Sequence, residues 1–374
     1  MSTLIAEIKP IQRVMWIDYA KFIGIVLVIC AHQTTNKGWF DFISAFDIPL
    51  FFFLSGFLFS FKKFDTYSQF LKARVKQLLV PYLLLNLVAY IFWLFFFKNF
   101  DEMFVSSGRF YKSFFGIFYG NGYGDWLIHC IATWFIICLF SLENIYFLVF
   151  RKLTDNQKYI ALVCFLPLCW LDRNYMPFWL PWGIDIAFVG IIFYGVGNLF
   201  KTRVFQLIQL SMLKLSVISI LAFAVLLFVA QRTHSDMNQH QYSNFKLFFV
   251  GAFAGITCVI TLSRIIELGL GHISIFQFVA QNTLFIMAFH LFVMTIVNKF
   301  ILDVFDISSK EIAANGFIGA IVVVPTVFLL IPLIYLCNRY FPVIVGKPSA
   351  SKQTAILPKE QVALGRPFKG SVGM

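Results

Sequence analysis

The sequence predicts an all-α polytopic membrane protein with about ten transmembrane helices. Of its 374 residues, 60% are hydrophobic and 19% aromatic, and only 13% are charged, whereas an ordinary soluble domain carries roughly 25% charged residues. The mean hydropathy is +0.81, and disordered chains lack such apolar content. The composition therefore excludes a soluble globular protein and a disordered chain.

Ten apolar runs approach the length of about 20 residues that a helix needs to cross the hydrocarbon core. The fifth run is short and contains Pro167, so it is either a span or a re-entrant segment. The runs are 18–35, 42–61, 77–97, 126–150, 159–171, 182–200, 213–231, 244–266, 274–298 and 317–338.

The positions of Lys and Arg favour ten spans with both termini in the cytoplasm. Cytoplasmic loops near helix ends carry the excess of basic residues. With ten spans and the N-terminus inside, 20 Lys and Arg residues fall on the cytoplasmic side and 8 on the external side. Residues 1–342 therefore form the predicted transmembrane domain, and the polar segment 343–374 is predicted to be a disordered cytoplasmic tail.

The net charge of +12 has its source in these cytoplasmic loops, so we do not expect a nucleic-acid partner. Membrane lipid is the expected surrounding partner. The seven cysteines are odd in number, lie in or beside apolar runs and include no C-x-x-C pair. This pattern indicates neither a disulfide framework nor a metal site.

Three ionisable residues of the first helix share one face. Ionisable residues inside a bilayer are costly and mark functional sites. Lys21 and His32 are 11 residues apart, which is only about 20° past three full turns. Asp18 lies 3 residues before Lys21. An isolated histidine in a membrane helix would more often only hydrogen-bond a neighbouring helix. Because His32 shares its face with Asp18 and Lys21, we predict that the three residues form a functional polar seam, with His32 inside the membrane.

Further polar residues interrupt later apolar runs. Asp47, near the outer end of the second run, either orients His32 or faces interfacial water and caps its helix. Asp185 and His290 are candidate functional residues because ionisable groups are costly to bury. His129 and Glu143 lie nearer to helix ends, where contacts with loops or the interface suffice.

The second connection is basic and includes Arg74 and Lys76. Such a cluster most often marks the cytoplasmic side and attracts anionic lipid. It would also supply the cations for a phosphate-bearing ligand.

Several motifs in chain order resemble the acyltransferase-3 family of integral-membrane O-acyltransferases, and the opening motif resembles its fucose 4-O-acetylase-like branch. The chain has Lys21 where many members have arginine and Asp47 where this branch often has histidine. The motifs are Trp16-Ile17-Asp18-Tyr19-Ala20-Lys21, Ala31-His32, Ile48-Pro49-Leu50, Phe53-Leu54-Ser55-Gly56, Leu79-Val80-Pro81-Tyr82, Trp134-Phe135-Ile136 and Asn282-Thr283-Leu284 before His290.

The resemblance implies an acyltransferase of the bacterial cytoplasmic (inner) membrane. Its donor would be cytoplasmic acetyl-CoA or another acyl-CoA, used as a co-substrate without a metal. Its acceptor would be a hydroxyl of a lipid-linked or surface polysaccharide. His32 would act as general base, with Asp47 and His290 as further catalytic candidates. Lys21, Arg74 and Lys76 would bind the donor, and Asp18 would support Lys21.

Two other functional classes fit a polytopic chain. A transporter or flippase for a lipid-linked sugar would show paired repeats with broken helices in matching halves, and the sequence shows neither. A glycan polymerase or ligase would need a large basic external loop, whereas the loops here are short.

Overall fold

The computed structural model describes residues 14–98, 110–124, 126–176, 179–306, 314 and 316–347. These residues form fifteen α-helices and one β-hairpin. The elements are α1 (Met15–Gln33), α2 (Lys37–Ser44), α3 (Asp47–Leu58), α4 (Tyr67–Arg74), α5 (Val80–Phe92), α6 (Phe110–Tyr119), α7 (Trp134–Phe150), α8 (Asp155–Tyr175), α9 (Ile184–Leu199), α10 (Lys201–Ile208), α11 (Met212–Ala230), β1 (Ser235–Asp236), β2 (Gln241–Tyr242), α12 (Phe245–Leu270), α13 (Ser274–Ala280), α14 (Thr283–Phe305) and α15 (Gly316–Tyr340).

The long helices run back and forth between two ends of a bundle. We call the end that holds the start of α1 the terminal face and the opposite end, which holds the β-hairpin, the hairpin face. In the described residues, nine helical segments are long and apolar enough to cross a membrane. The prediction of an all-α polytopic protein is confirmed.

The first helix is tied at both ends to the C-terminal half of the chain. At the terminal face, the Tyr19 hydroxyl donates to the Gly271 carbonyl and accepts from the Ile273 amide at 3.0 Å. At the hairpin face, the amides of Gln33 and Asn298 exchange hydrogen bonds of 3.2 and 3.1 Å. These bonds fix the depth at which His32 lies.

The second predicted run is not one helix, because the chain breaks before Asp47. Phe46 has φ −145° and ψ −12°, and the Asp47 carboxylate accepts from the Ile48 amide at 2.7 Å. Pro49 follows in the first turn, where its missing N–H has no helical acceptor to lose. The break therefore places Asp47 at the first residue of α3.

Close contact with α9 positions α3. A β-carbon on Gly56 would lie 1.9 Å from the Tyr194 carbonyl oxygen, and one on Gly197 would lie 2.2 Å from that of Phe53. Only glycine allows the two backbones to approach so closely. The crossing thus fixes the height of the whole helix, including Asp47 at its start.

The third run forms one continuous helical segment over 67–97, with π-helical turns at Val75–Leu79 and Trp93–Phe97. π-turns insert an extra residue into the helical repeat and rotate the side chains that follow. Lys76 lies in the first of these turns and is exposed.

The fifth run, left open between a span and a re-entrant segment, is the 21-residue helix α8 with Pro167 inside it. Lys158, near its start, lies 5.6 Å from the Phe61 ring, on the terminal face. Asp172, near its end, lies 3.5 Å from His240 of the hairpin. Helix α8 therefore connects the two faces, although it is not among the nine most apolar segments.

Two differences from the sequence prediction concern the C-terminal part. The run 274–298 is divided into α13 and α14 around Gln281 and Asn282. Pro342–Val345 form a helical turn against α5, and Lys347 donates to Asn282 Oδ1 at 2.7 Å. The described residues thus extend to Lys347, and the rest of the predicted tail lies outside them.

Candidate functional site

Two histidines from distant parts of the chain meet near the hairpin face. The ring centroids of His32 on α1 and His290 on α14 are 5.2 Å apart, with 48° between the ring planes. His290 is fully buried, and His32 is half-buried. The structure therefore brings together two residues that the sequence analysis selected separately.

The protonation of His290 follows from its hydrogen bond. Its Nδ1 lies 2.8 Å from the Ile286 carbonyl oxygen, and a carbonyl oxygen only accepts. Nδ1 therefore carries the proton in the neutral ring, and Nε2 carries the lone pair. Within the described part of the chain, this buried Nε2 has no hydrogen-bond partner.

A cavity of about 250 Å³ lies beside His32. Its walls come from six parts of the fold, and both His32 and Asp47 line it. The lining residues are Val28, Ala31, His32, Phe40, Ser44, Asp47, Ile48, Ile131, Ala132, Trp134, Phe135, Asp236, Met237, Asn238, Gln239 and Met287.

The hairpin supplies polar cavity residues that the sequence analysis missed. Asp236 accepts from the Gln239 amide at 3.2 Å and from its side chain at 2.9 Å. Burial raises the pKa of the Asp236 carboxyl, and the bonds from Gln239 offset only part of this effect. The detectable signal was the polar run Ser235-Asp236-Met237-Asn238-Gln239-His240 between two apolar helices.

The start of the hairpin is fastened to α2. The Nδ1 atom of His234 lies 2.6 Å from a carboxylate oxygen of Asp41, which also forms an ion pair with Lys37. Asp41 is buried. This contact holds the hairpin against the cavity wall.

Asp18 and Lys21 lie in the first two turns of α1, toward the terminal face. Asp18 is buried and Lys21 is half-buried. The 11-residue separation from Lys21 to His32 corresponds to about 16 Å along the helix axis. The predicted seam therefore has one cationic end and one imidazole end.

Arg74 is held by a buried carboxylate. Its Nε atom lies 2.8 Å from Glu143 Oε2, and the two side chains are 16% and 5% exposed. The Arg74 guanidinium also lies within 6 Å of three phenylalanine rings, the nearest being Phe70 at 5.3 Å. Arg74 thus links α4 to α7 in addition to being a candidate donor cation.

The expectation that His129 and Glu143 reach loops or the interface is wrong. Glu143 is 4% exposed and accepts from the Tyr194 hydroxyl at 3.2 Å. His129 is fully buried, with its ring 5.5 Å from that of Tyr90. Glu143 lies in the middle of α7 and His129 in the turn before it, and hydropathy does not reveal that both side chains face the interior.

Asp185 does not line the cavity beside His32. It is buried at the start of α9, where it accepts from the Ile186 amide at 2.9 Å and the Leu180 amide at 3.3 Å. Carboxylates at this position satisfy free N–H groups and interact favourably with the helix dipole. These contacts place Asp185 at the start of α9, and a functional role for it stays a prediction.

The architecture agrees with the comparison to known proteins. A protein-family model described as an acyltransferase domain matches residues 14–337. No curated protein and no solved structure among those compared matches the chain. Because the family match covers most of the chain and the fold is that of a multi-pass membrane protein, the chain belongs to the acyltransferase-3 family of membrane acyltransferases.

Proposed function

We propose that this protein transfers an acyl group, most simply acetyl, from acyl-CoA to a hydroxyl of a cell-envelope or exopolysaccharide glycan. The observation that carries the proposal is the contact between His32 and His290 beside a cavity with polar walls. The Trp-Ile-Asp-Tyr opening supports the assignment to the fucose 4-O-acetylase-like branch.

In the proposed reaction, His32 is the general base. The acceptor hydroxyl gives its proton to the imidazole while its oxygen attacks the thioester carbonyl carbon. The carbon–sulfur bond then breaks, and the departing thiolate takes the proton from His32. The products are an ester and the free thiol of CoA, so no further reactant is needed.

His290 and Asp47 act on His32 in this scheme. The buried ring of His290 limits the orientations available to the His32 ring, so His290 is a positioning residue. Asp47 lines the same cavity and stabilises the imidazolium that forms when His32 takes the proton.

The donor binds from the terminal face, which we propose is cytoplasmic in a bacterial inner membrane. Lys21 and Lys76 lie toward this face, and their ammonium groups suit the phosphates of CoA. Arg74 adds positive charge there while it remains paired with Glu143. The pantetheine arm covers the distance of about 16 Å from Lys21 to His32.

The test uses purified protein in nanodiscs with acetyl-CoA labelled in the acetyl group and glycan from a deletion strain. We expect label in the glycan together with stoichiometric free CoA thiol. Glycan that is moved across the membrane without release of thiol would indicate a flippase and contradict the proposal.

A further inference from the structure

Beside the cavity, three rings form a row on the hairpin face. The rings of Tyr123 and Trp179 are stacked, with centroids 4.9 Å apart and 24° between their planes. The His240 ring follows, 6.0 Å from that of Trp179. We call Tyr123, Trp179 and His240 the aromatic row.

Polar contacts on three sides hold the aromatic row in place. The Tyr119 hydroxyl donates to the Trp179 carbonyl at 2.6 Å, and the Tyr123 amide donates to Asn121 Oδ1 at 2.8 Å. The Nε2 atom of His240 lies 3.5 Å from Asp172 Oδ2. These contacts hold the backbone of Trp179 and Tyr123 and the ring of His240, and the stacking of the Tyr123 and Trp179 rings prearranges their side chains.

The aromatic row is continuous with the cavity beside His32. His240 directly follows four hairpin residues that line the cavity. Gly122, next to Tyr123, packs against the cavity-lining residue Asn238, so that a β-carbon on Gly122 would lie 2.2 Å from Asn238 Oδ1. One end of the row is thus next in sequence to a cavity-lining residue, and the other end is next to a glycine that packs against one.

The cavity is too small for a whole glycan. Ligand cavities for drug-sized molecules have volumes of roughly 300–1,000 Å³, and this cavity has about 250 Å³. It has room for about one sugar ring, so the rest of a glycan chain must lie outside. The aromatic row is the adjoining surface that the structure provides there.

The chemistry of the row suits a pyranose. One face of such a ring presents C–H groups to an aromatic ring, while the hydroxyls at its edge need hydrogen-bonding partners. Tyr123 is 44% exposed and offers its outer face. Gln239, which lines the cavity, is exposed and carries an amide that can both donate and accept.

We propose that the aromatic row is a docking subsite for a second sugar ring, adjacent to the ring that is acylated. This inference rests on the proposed function and narrows the acceptor to a glycan of at least two rings. The subsite would hold the chain so that only one hydroxyl reaches His32.

The test measures sugar binding without any acyl-CoA. The protein is placed in nanodiscs, because alkyl maltosides carry sugar head groups, and saturation-transfer NMR is recorded with maltose, lactose, chitobiose and methyl fucoside. Sorbitol, which has no ring, is the ligand control. We expect transfer to ring C–H protons of at least one disaccharide and none to sorbitol.

Variants locate the contact. Tyr123→Ala and Trp179→Leu should weaken disaccharide binding about two- to tenfold, as expected for loss of one aromatic contact. Tyr123→Phe should bind as the wild type does. Trp39→Leu is the matched control, because Trp39 is 53% exposed at the start of α2 and does not line the cavity.

Outcomes for the row and for the proposed function are distinguishable. Binding of none of the disaccharides, or equal binding by wild type and Trp179→Leu, would overturn the subsite. Equal losses in Trp39→Leu would show general interfacial adhesion and also overturn it. Sugar binding by a protein that never releases CoA thiol would support the row while contradicting the acyltransferase proposal.

Discussion

The environment of His32 differs from that of an ordinary helix-packing histidine. The ring lies on a cavity wall, with a second imidazole 5.2 Å behind it. Both residues were visible in the sequence as ionisable groups within apolar runs. Their contact was not, because it joins the first helix to α14, and helical periodicity says nothing about which helices are neighbours.

His32→Ala should abolish glycan acylation while the protein still folds and inserts. A positioned base contributes about 10²- to 10⁴-fold to a rate. His32→Gln keeps the size and polarity but takes no proton, so it should be equally inactive in the labelled acetyl-CoA assay. If His32→Gln acylates glycan at the normal rate, His32 is structural, and His290 becomes the next candidate base.

The Asp236 carboxyl gives a prediction for stability as a function of pH. Its pKa is raised in the folded protein by burial, whereas an unfolded aspartate titrates near pH 3.9. The folded state therefore binds more protons above about pH 3.9 and loses stability as the pH rises through the native pKa. Asp236→Asn removes this loss.

We expect the melting temperature of Asp236→Asn, relative to wild type, to increase from pH 4 upward and to level off above the native pKa. Changed hydrogen bonds to Gln239 add an offset that does not depend on pH, so the comparison across pH isolates the charge. A difference that is constant between pH 4 and pH 8 would contradict the burial effect.

Among the elements, the helix breaks matter more for the site than the helices themselves. The second apolar run, 42–61, was predicted as one span, and its apolar residues before Asp47 concealed α2 as a separate helix. The hairpin was missed because each of its strands has only two residues. Hydropathy detects long apolar segments, so it does not detect short polar elements between them.

The link between α4 and α7 gives a prediction about stability. Arg74→Ala should destabilise the protein by about 3–5 kcal/mol, because it leaves the buried Glu143 carboxylate without its cation. The double variant Arg74→Ala/Glu143→Gln should recover much of this loss, since glutamine still accepts from Tyr194. Thermal unfolding in detergent measures both.

Lys76, which is exposed in the adjacent π-turn, is the matched control for Arg74. Lys76→Ala should leave thermal unfolding unchanged. If Arg74→Ala is as stable as Lys76→Ala, then Arg74 does not link the helices, and a role confined to the donor becomes the better explanation.

At the scale of the whole molecule, the charge pattern and the run lengths favoured ten passes between the two faces but left the fifth open. The status of α8 needed the structure, because its polar ends lower its hydropathy while its contacts at both faces show that it crosses the bundle. The closeness of helix neighbours could not be predicted, since it depends on small-residue contacts such as Gly56 with Tyr194.

Reporter fusions test the topology at α8. A chain truncated after Lys152 and fused to a fluorescent protein should fluoresce, and one truncated after Tyr175 and fused to alkaline phosphatase should be enzymatically active. The exchanged fusions, alkaline phosphatase after Lys152 and the fluorescent protein after Tyr175, should show no enzyme activity and no fluorescence. If both positions report the cytoplasm, α8 does not cross the membrane and every later helix has the opposite orientation.

The paired amides of Gln33 and Asn298 have a consequence for biosynthesis. These partners are 265 residues apart, so at 5–20 residues per second the ribosome needs about 13–50 s to make the second after the first. During that interval the polar end of the first helix has already left the ribosome, while α14 does not yet exist. The segment that carries His32 would therefore need an insertase or chaperone to cover its polar end throughout this interval.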